Sequence, residues 1–388
     1  MKVGVIGLGA RIAKMAADFK QAAPEIQFTA VADPMDARMS ALQDLGDTPV
    51  RYDTAVEMLA ADSYDLLMIG SVNSMHLDHL RLALNSPTPY IFAEKPVVIS
   101  IEETIELGRL IARHDGVKRL MIGLVLRYSP LYRALRKAQA DGQIGEIMSI
   151  EASEHIGPYH GSFFMRDWRR DRKYCGSFML EKCCHDLDLY QGTVGSRARR
   201  VASFGGRKKY LPARRPATSP DYLKVKSPRW GGIDDAWSGE GDIVDYQTAL
   251  VEYETGATMA FHTNLNVPDQ FRRFCVIGVD GMAEGDFIRN HFRVTESDTE
   301  AVVLDVDKVG PGDEEGHYGA DIAMCRDVMA YVKGERAELP LNVKDALEAG
   351  VTALAMDEAR ETGRVVDLAP VWARLDAALA GEADTDAA

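Results

Sequence analysis

No run of about 18 apolar residues occurs in this 388-residue chain, so no membrane-spanning helix is expected. Cysteine is scarce as well. Cys175, Cys183, Cys184, Cys275 and Cys325 are an odd five without repeated Cys-x-x-Cys spacing. That argues against a disulfide framework and against a zinc site, so no metal is expected. Reduced thiols in a cytoplasmic protein are the simpler reading. Positive charge is in deficit: 45 Lys and Arg stand against 59 Asp and Glu, a formal net charge of −14. Nucleic acid or an anionic membrane would be repelled as a main partner, although a local basic pocket can still receive an anionic small molecule. The start of the chain offers no leader: Lys2 is followed at once by Val3, Val5 and Ile6, which read as a buried strand.

What is present is an ordinary globular mix, 46% hydrophobic and 27% charged, long enough for two domains. Short apolar runs at 2–7, 26–33, 66–69, 90–93 and 120–123 alternate with helix-like spacing at 10–22, 75–85 and 101–114. Strands alternating with helices predict crossover units and a doubly wound parallel sheet. Near residue 145 the pattern changes. Strand candidates at 146–154, 198–206, 244–254, 257–264, 271–278 and 291–295 show more two-residue alternation, which predicts an antiparallel sheet with one covered face. Late helices at 318–333 and 343–361 would brace it or pack back on the first domain. The domains expected are 1–125 and 126–380, with a disordered tail at 381–388. A loop at 207–237, rich in proline and basic residues, suits a functional segment or an oligomer arm.

Gly7-Leu8-Gly9 falls where a first strand meets a first helix. Glycine there permits close approach of a phosphate, and the helix start at Ala10, Arg11 and Ile12 supplies amide donors and a positive dipole end. Asp33 ends the next strand, where a carboxylate accepts from a ribose diol and repels a 2′-phosphate. No Arg or Lys follows within four residues, so NAD is expected rather than NADP. The third glycine of the usual fingerprint is replaced by Ile12, which implies looser packing of helix on strand.

Three segments carry the expected chemistry. Glu94-Lys95-Pro96 follows the strand YIFA, and Ser71 to His76, including Asn73, follows LLMIG, both at the ligand-binding edge of a parallel sheet. In the run from Gly176 to Leu189, Glu181, His185 and Asp188 share one face if the run is helical. Two carboxylates and an imidazole on one face suit proton transfer, and they suit a metal as well.

With those residues in this order, the chain resembles the Gfo/Idh/MocA oxidoreductases over nearly its whole length. Segments 121–133 (including Arg127), 164–170, 316–321 and 363–367 are similar in content and order. The resemblance implies an N-terminal Rossmann domain and a C-terminal α+β domain with a large, open, mainly antiparallel sheet, an α/β architecture overall. The outer face of that sheet would build a homodimer or homotetramer. It implies Lys95 beside the substrate hydroxyl, His185 as general acid/base, and Glu181 where the family places a substrate-contacting aspartate. Asn73 and His76 would lie near the nicotinamide, with Ser71 and Glu94 in the cofactor site. Arg127, Trp168, Arg169 and Lys182 join Lys95, Glu181 and His185 as candidate substrate contacts. Glu181 is longer than aspartate, and Cys183 stands where glycine is common, so the substrate cannot be transferred from relatives.

The expected activity is hydride transfer between NAD and a carbinol of a sugar, sugar derivative or cyclitol. Two other readings stay open: an NAD-retaining, redox-assisted glycosidase, and a non-catalytic NAD- or sugar-sensing protein. Blander readings stand beside these. Lys182 suits a solvated position, Cys183 and Cys184 suit small core positions, and Trp168 suits an interface anchor as well as a sugar stack. Arg207, Lys208, Lys209, Arg214 and Arg215 suit a phosphosugar or a solvated loop. His317 and Asp321 suit the cleft, or Asp321 suits only a helix dipole.

Overall fold

The computed structural model describes residues 1–36, 38–218, 235–312 and 316–382. They form two compact units. The first comprises residues 1–128, 320–351 and the chain from Ala369; the second comprises 129–319 and 352–368, so one boundary falls inside the helix Val343–Thr362.

In the first unit β1 (Lys2–Ile6), β2 (Gln27–Ala32), β3 (Val50–Tyr52), β4 (Leu66–Ile69), β5 (Tyr90–Ala93) and β6 (Leu120–Ile122) make one sheet in the order β3-β2-β1-β4-β5-β6. Every neighbouring pair is parallel. Parallel strands are covered on both faces, which is why β4 is a continuous apolar run with all four residues buried. Strand order reverses between β1 and β4, the place where such sheets bind ligands beyond their carboxyl ends. Helix starts are locally encoded: Thr54 and Glu57 form a reciprocal capping box, and the Ser100 hydroxyl accepts from the Glu103 amide. Two late helices belong to this unit. Ala320–Val332 packs on Ala10–Ala22, and Ala369–Leu379 packs on Ile101–Arg113.

The second unit is built on nine strands: β7 (Ile147–His155), β8 (Ala198–Gly206), β9 (Tyr246–Tyr253), β10 (Thr258–Asn264), β11 (Phe271–Gly278), β12 (Gly281–Asp286), β13 (His291–Glu296), β14 (Val302–Asp307) and β15 (Val366–Asp367). Their order is β14-β13-β12-β11-β7-β10-β9-β8-β15, antiparallel throughout except for β7 beside β10. Burial alternates along β9 and β10 as a one-faced sheet requires. The covered face meets the helix Cys184–Val194, where Tyr190 stacks edge-on against Phe274, and meets Met356, whose carbonyl accepts from Gln247. The opposite face leaves Phe204 and Leu250 largely exposed within this unit.

Several elements depart from the sequence expectation. β3, β12, β14, β15 and the helix Ala369–Leu379 were not anticipated, and the expected helix from residue 318 begins at Ala320. The run Met179–Cys183 is a π-helical turn that passes into the α-helix Cys184–Val194. Among the described residues no helix is long and apolar enough to cross a membrane. Residues 219–234 of the expected loop, and 383–388 of the expected tail, lie outside the described residues.

Candidate active site

The first unit concentrates its chemistry-bearing residues beyond β1, β2, β4 and β5. Gly7 has φ +80, and a Cβ there would lie 2.5 Å from the Ser71 backbone, so only glycine fits this turn. The helix that follows is capped by Gly9, with no side-chain cap and no acidic residue in its first turn. Its first amides therefore suit an external anion. The Asp33 carboxylate accepts from the Leu8 amide (2.8 Å) inside the glycine turn and from the Met35 amide (2.9 Å). A glycine cradle, an uncapped helix start and a carboxylate set beside them fit a dinucleotide.

Ile12 is fully buried, and its side chain lies against Gly70. A Cβ on Gly70 would sit 2.3 Å from Ile12 Cγ1. Gly70, at the end of β4, leaves the space that the Ile12 side chain fills.

Arg11 is engaged within the protein. Its guanidinium forks onto Asp321 (2.7 and 2.8 Å) and reaches Glu94 (3.2 Å), and Lys14 also meets Asp321 (3.1 Å). Asp321 is therefore a buried ion-pair partner rather than a bare helix-dipole charge. Burial pushes the Glu94 carboxyl above its ordinary range, while Arg11 and Lys95 pull it down. The same carboxylate accepts from the Lys95 amide (3.3 Å). One buried acid thus joins the helix Ala10–Ala22 to the lysine at the carboxyl end of β5. Lys95 itself is half-buried and precedes a cis proline. His76 is buried with both ring nitrogens near carbonyl oxygens, Nδ1 at 2.7 Å from Pro96 and Nε2 at 3.2 Å from Ser71, so it braces the two loops; Ser71 Oγ meets His79. Asn73 is buried in the same loop. Arg127 lies in the first unit too, with the Pro340 carbonyl at 3.3 Å and Asp345 at 3.6 Å.

In the second unit Glu181, Lys182, His185, Asp186 and Asp188 are all buried. The run is helical as expected, but it opens with a π turn: Glu181 lies in the widened turn, and His185 and Asp188 follow in the α-helix. The His185 ring lies 5.4 Å from that of His317. His317 and Tyr318 adopt φ +47 and +62, two successive left-handed side-chain-bearing residues, a strained arrangement of the kind that fixes site residues. Glu181 pairs with Arg169 (3.4 Å), whose guanidinium lies over the Trp168 and Phe163 rings at 4.1 and 4.3 Å. Burial lowers the Arg169 pKa against the pull of Glu181.

Lys182 is not solvated. It pairs with Glu154 (2.7 Å), Glu154 with Arg272 (3.0 Å), and Arg272 forks onto Asp186 (2.8 and 2.7 Å). This neutral, buried chain ties the His185 helix to β7 and β11. Burial pushes Glu154 upward, but Arg272 and Lys182 outweigh it and hold the carboxyl at about 2. Sequence reasoning missed Glu154, Asp186 and Arg272.

The basic run is largely structural where described. The amides of Lys208, Lys209 and Tyr210 converge on the buried Asp245 carboxylate, and Arg207 donates to the Ile243 and Glu240 carbonyls. The thiols of Cys183 and Cys325 are pushed well up by burial, which suits core cysteines. Among the described residues no cluster of three or more His, Cys, Asp or Glu would hold a metal.

Residues 1–124 match the oxidoreductase family with an NAD-binding Rossmann fold, and residues 132–284 match the GFO/IDH/MocA C-terminal domain. A Bacillus subtilis (strain 168) protein, YteT, described as an oxidoreductase, is 23% identical over 78% of this chain and 80% of its own. The D-xylose 1-dehydrogenase (NADP(+)) 2 of Haloferax volcanii is 25% identical over 95% and 100%. The chain spans about half the length (49–55%) of the inositol 2-dehydrogenases it matches. The fold is shared with a myo-inositol dehydrogenase from Corynebacterium glutamicum ATCC 13032, with TM-score 0.68 and 20% identity over 95% of this chain and 99% of that one.

Proposed function

The chain belongs to the Gfo/Idh/MocA oxidoreductase family, and on that premise we propose that it oxidises a secondary carbinol of a sugar, sugar derivative or cyclitol with NAD, or runs the reverse reduction. NAD+, when bound, accepts the hydride leaving the carbinol carbon. The protein's share is orientation and proton management. Lys95 places an ammonium where it stabilises charge developing on the carbinol oxygen. His185 takes the hydroxyl proton, so that C–H and O–H both break as the carbonyl forms. Glu181 orients substrate and is itself set by Arg169. Ser71, Asn73 and His76 shape the cofactor side. The observation that carries this reading is the buried Glu94, which touches both Arg11 of the uncapped helix and the backbone of Lys95. Its ion pairing fixes the lysine segment against the dinucleotide turn.

Titrating NAD+, NADP+ and their reduced forms, then a panel of sugars, cyclitols, sugar acids and phosphosugars, tests the proposal through nicotinamide absorbance. NAD+ reduction by one panel class is expected. Lys95→Ala and His185→Ala each lower turnover by more than about tenfold, the low end for a positioned proton-transfer group, with NAD affinity retained. Normal turnover in both sinks the assignment, and binding without net redox change favours a glycosidase or a sensor. The same proposal assigns self-association, as dimer or tetramer, to the open face around Phe204 and Leu250; light scattering of the purified protein reads it directly.

A further inference from the structure

We propose that Arg51 is a positioning residue that sets the discrimination between NAD+ and its 2′-phosphorylated form, an inference that rests on the dinucleotide reading above. Arg51 lies in β3, 18 residues after Asp33, and parallel pairing of β3 with β2 brings it alongside (Val31 opposite Arg51, with the Asp33 amide donating to the Tyr52 carbonyl at 3.0 Å). Its guanidinium donates to the carbonyls of Asp33 (3.0 Å) and Pro34 (2.8 Å) and pairs with the Asp53 carboxylate (2.6 Å). Two successive carbonyls on one rigid fork fix the peptide planes on both sides of Pro34, a planar constraint that the point-like ammonium of a lysine lacks. That backbone in turn aims the Asp33 side chain, whose two oxygens are taken by the amides of Leu8 and Met35. The carboxylate that rejects a 2′-phosphate is thus held from the glycine turn, from its own strand end and, through the backbone, from β3. Asp53 accepts from Nη2, the nitrogen that also donates to Pro34. Nε and Nη2 are thus committed to the clamp, and Asp53 offsets the charge that would otherwise attract phosphate.

The clamp acts on selectivity, so the test is equilibrium binding. NAD+ and NADP+ are titrated against wild type and Arg51→Ala, reading protein fluorescence quenching or calorimetric heat. Wild type prefers NAD+. Arg51→Ala weakens NAD+ about tenfold, the equivalent of about 1.4 kcal/mol, and leaves NADP+ within about twofold, so the preference narrows. A variant that merely loosens the fold would weaken both dinucleotides together and leave their ratio unchanged; that outcome overturns the proposal while the dinucleotide reading stands. Wild type that binds neither dinucleotide, or prefers NADP+, overturns both. Should Arg51→Ala fail to fold, Arg51→Lys carries the same comparison: it keeps the charge but not the fork, and the ratio narrows only if the fork matters.

Discussion

The two units build their chemistry-bearing residues by opposite means. In the first, the working parts are backbone: a glycine turn, uncapped helix amides, and strand ends that a parallel sheet delivers to one edge. The arginine of its ion cluster stays within reach of solvent, with a quarter of the Arg11 side-chain surface exposed (26%), although its partners Glu94 and Asp321 are buried. In the second, the working helix is held by ions taken wholly out of water. Arg272 is 1% exposed and its partners Asp186 and Glu154 are 1% and 4% exposed. A site made of backbone tolerates changes in neighbouring charges, whereas a site hung on buried ions depends on every one of them. An isosteric apolar replacement of a whole buried pair is often harmless, but removal of one member strands the other.

The largest expected effect follows from that dependence. Arg272→Met deprives Asp186 of its forked partner and leaves Glu154 with Lys182 alone. It should cost about 3–5 kcal/mol in urea unfolding, the usual range for a broken buried pair. Arg11→Met removes an arginine with the same number of acidic partners in the first unit, and should cost clearly less because Arg11 is itself less deeply buried than Arg272 and Lys14 still meets Asp321. Equal losses in the two variants would show that burial is not what separates the units.

How much of each unit was legible follows the same line. Gly7, Gly9, Asp33 and Lys95 stand at fixed offsets from apolar runs, and the parallel sheet turns such offsets directly into positions. Arg51 escaped, and so did the pairing of Asp321 with Arg11, because sheet pairing and a late helix, not sequence spacing, bring them to Asp33 and Arg11. In the second unit Glu181 and His185 were visible as a pattern, but the π turn between them was not. Glu154 and Arg272 face each other through the register of β7 and β11, which no local pattern encodes. β12 was missed because the residues it buries include Gly281, Ala283 and Gly285, too small to write a hydrophobic alternation. β14 was missed because it is an edge strand with no fully buried residue.

Acid titration sharpens the contrast, because the buried Glu94 and Glu154 are shifted in opposite directions. The Glu154 carboxyl lies at about 2 in the fold against an ordinary value of 4.5. Its stabilising share is present above about pH 4.5 and drains away as pH falls toward 2. Glu94 is raised above 4.5 by burial, so its ionised form opposes folding at neutral pH, and the fold gains as pH falls through the raised value. Removing Glu154 (Glu154→Gln) should flatten the acid limb of stability below pH 4.5 by up to about 1.4 kcal/mol per pH unit, the weight of one proton. Glu94→Gln should instead steepen the loss of stability on acidification by removing an opposing term. Unfolding curves taken at half-unit steps from pH 6 to 3 separate the two, and the same sign of change in both variants would break the comparison.

The smallest effect tests whether the first unit's backbone site has merely moved its third glycine. Gly70→Ala places a Cβ 2.3 Å from Ile12 Cγ1, and neither the strand end nor the helix start can shift without disturbing Gly7. The single change should cost about 1–3 kcal/mol, as overpacking does, and should weaken NAD binding with it. Ile12→Gly alone loses buried side chain and adds a flexible residue near the helix start. Combined, Ile12→Gly with Gly70→Ala restores the usual order of glycine on the helix and side chain on the strand. The double variant should therefore lose less than the sum of the two singles, by more than the roughly 0.5 kcal/mol within which independent sites add. Strict additivity would mean that Ile12 and Gly70 are not a matched pair, and that the glycine turn is held by Gly7 and Ser71 alone.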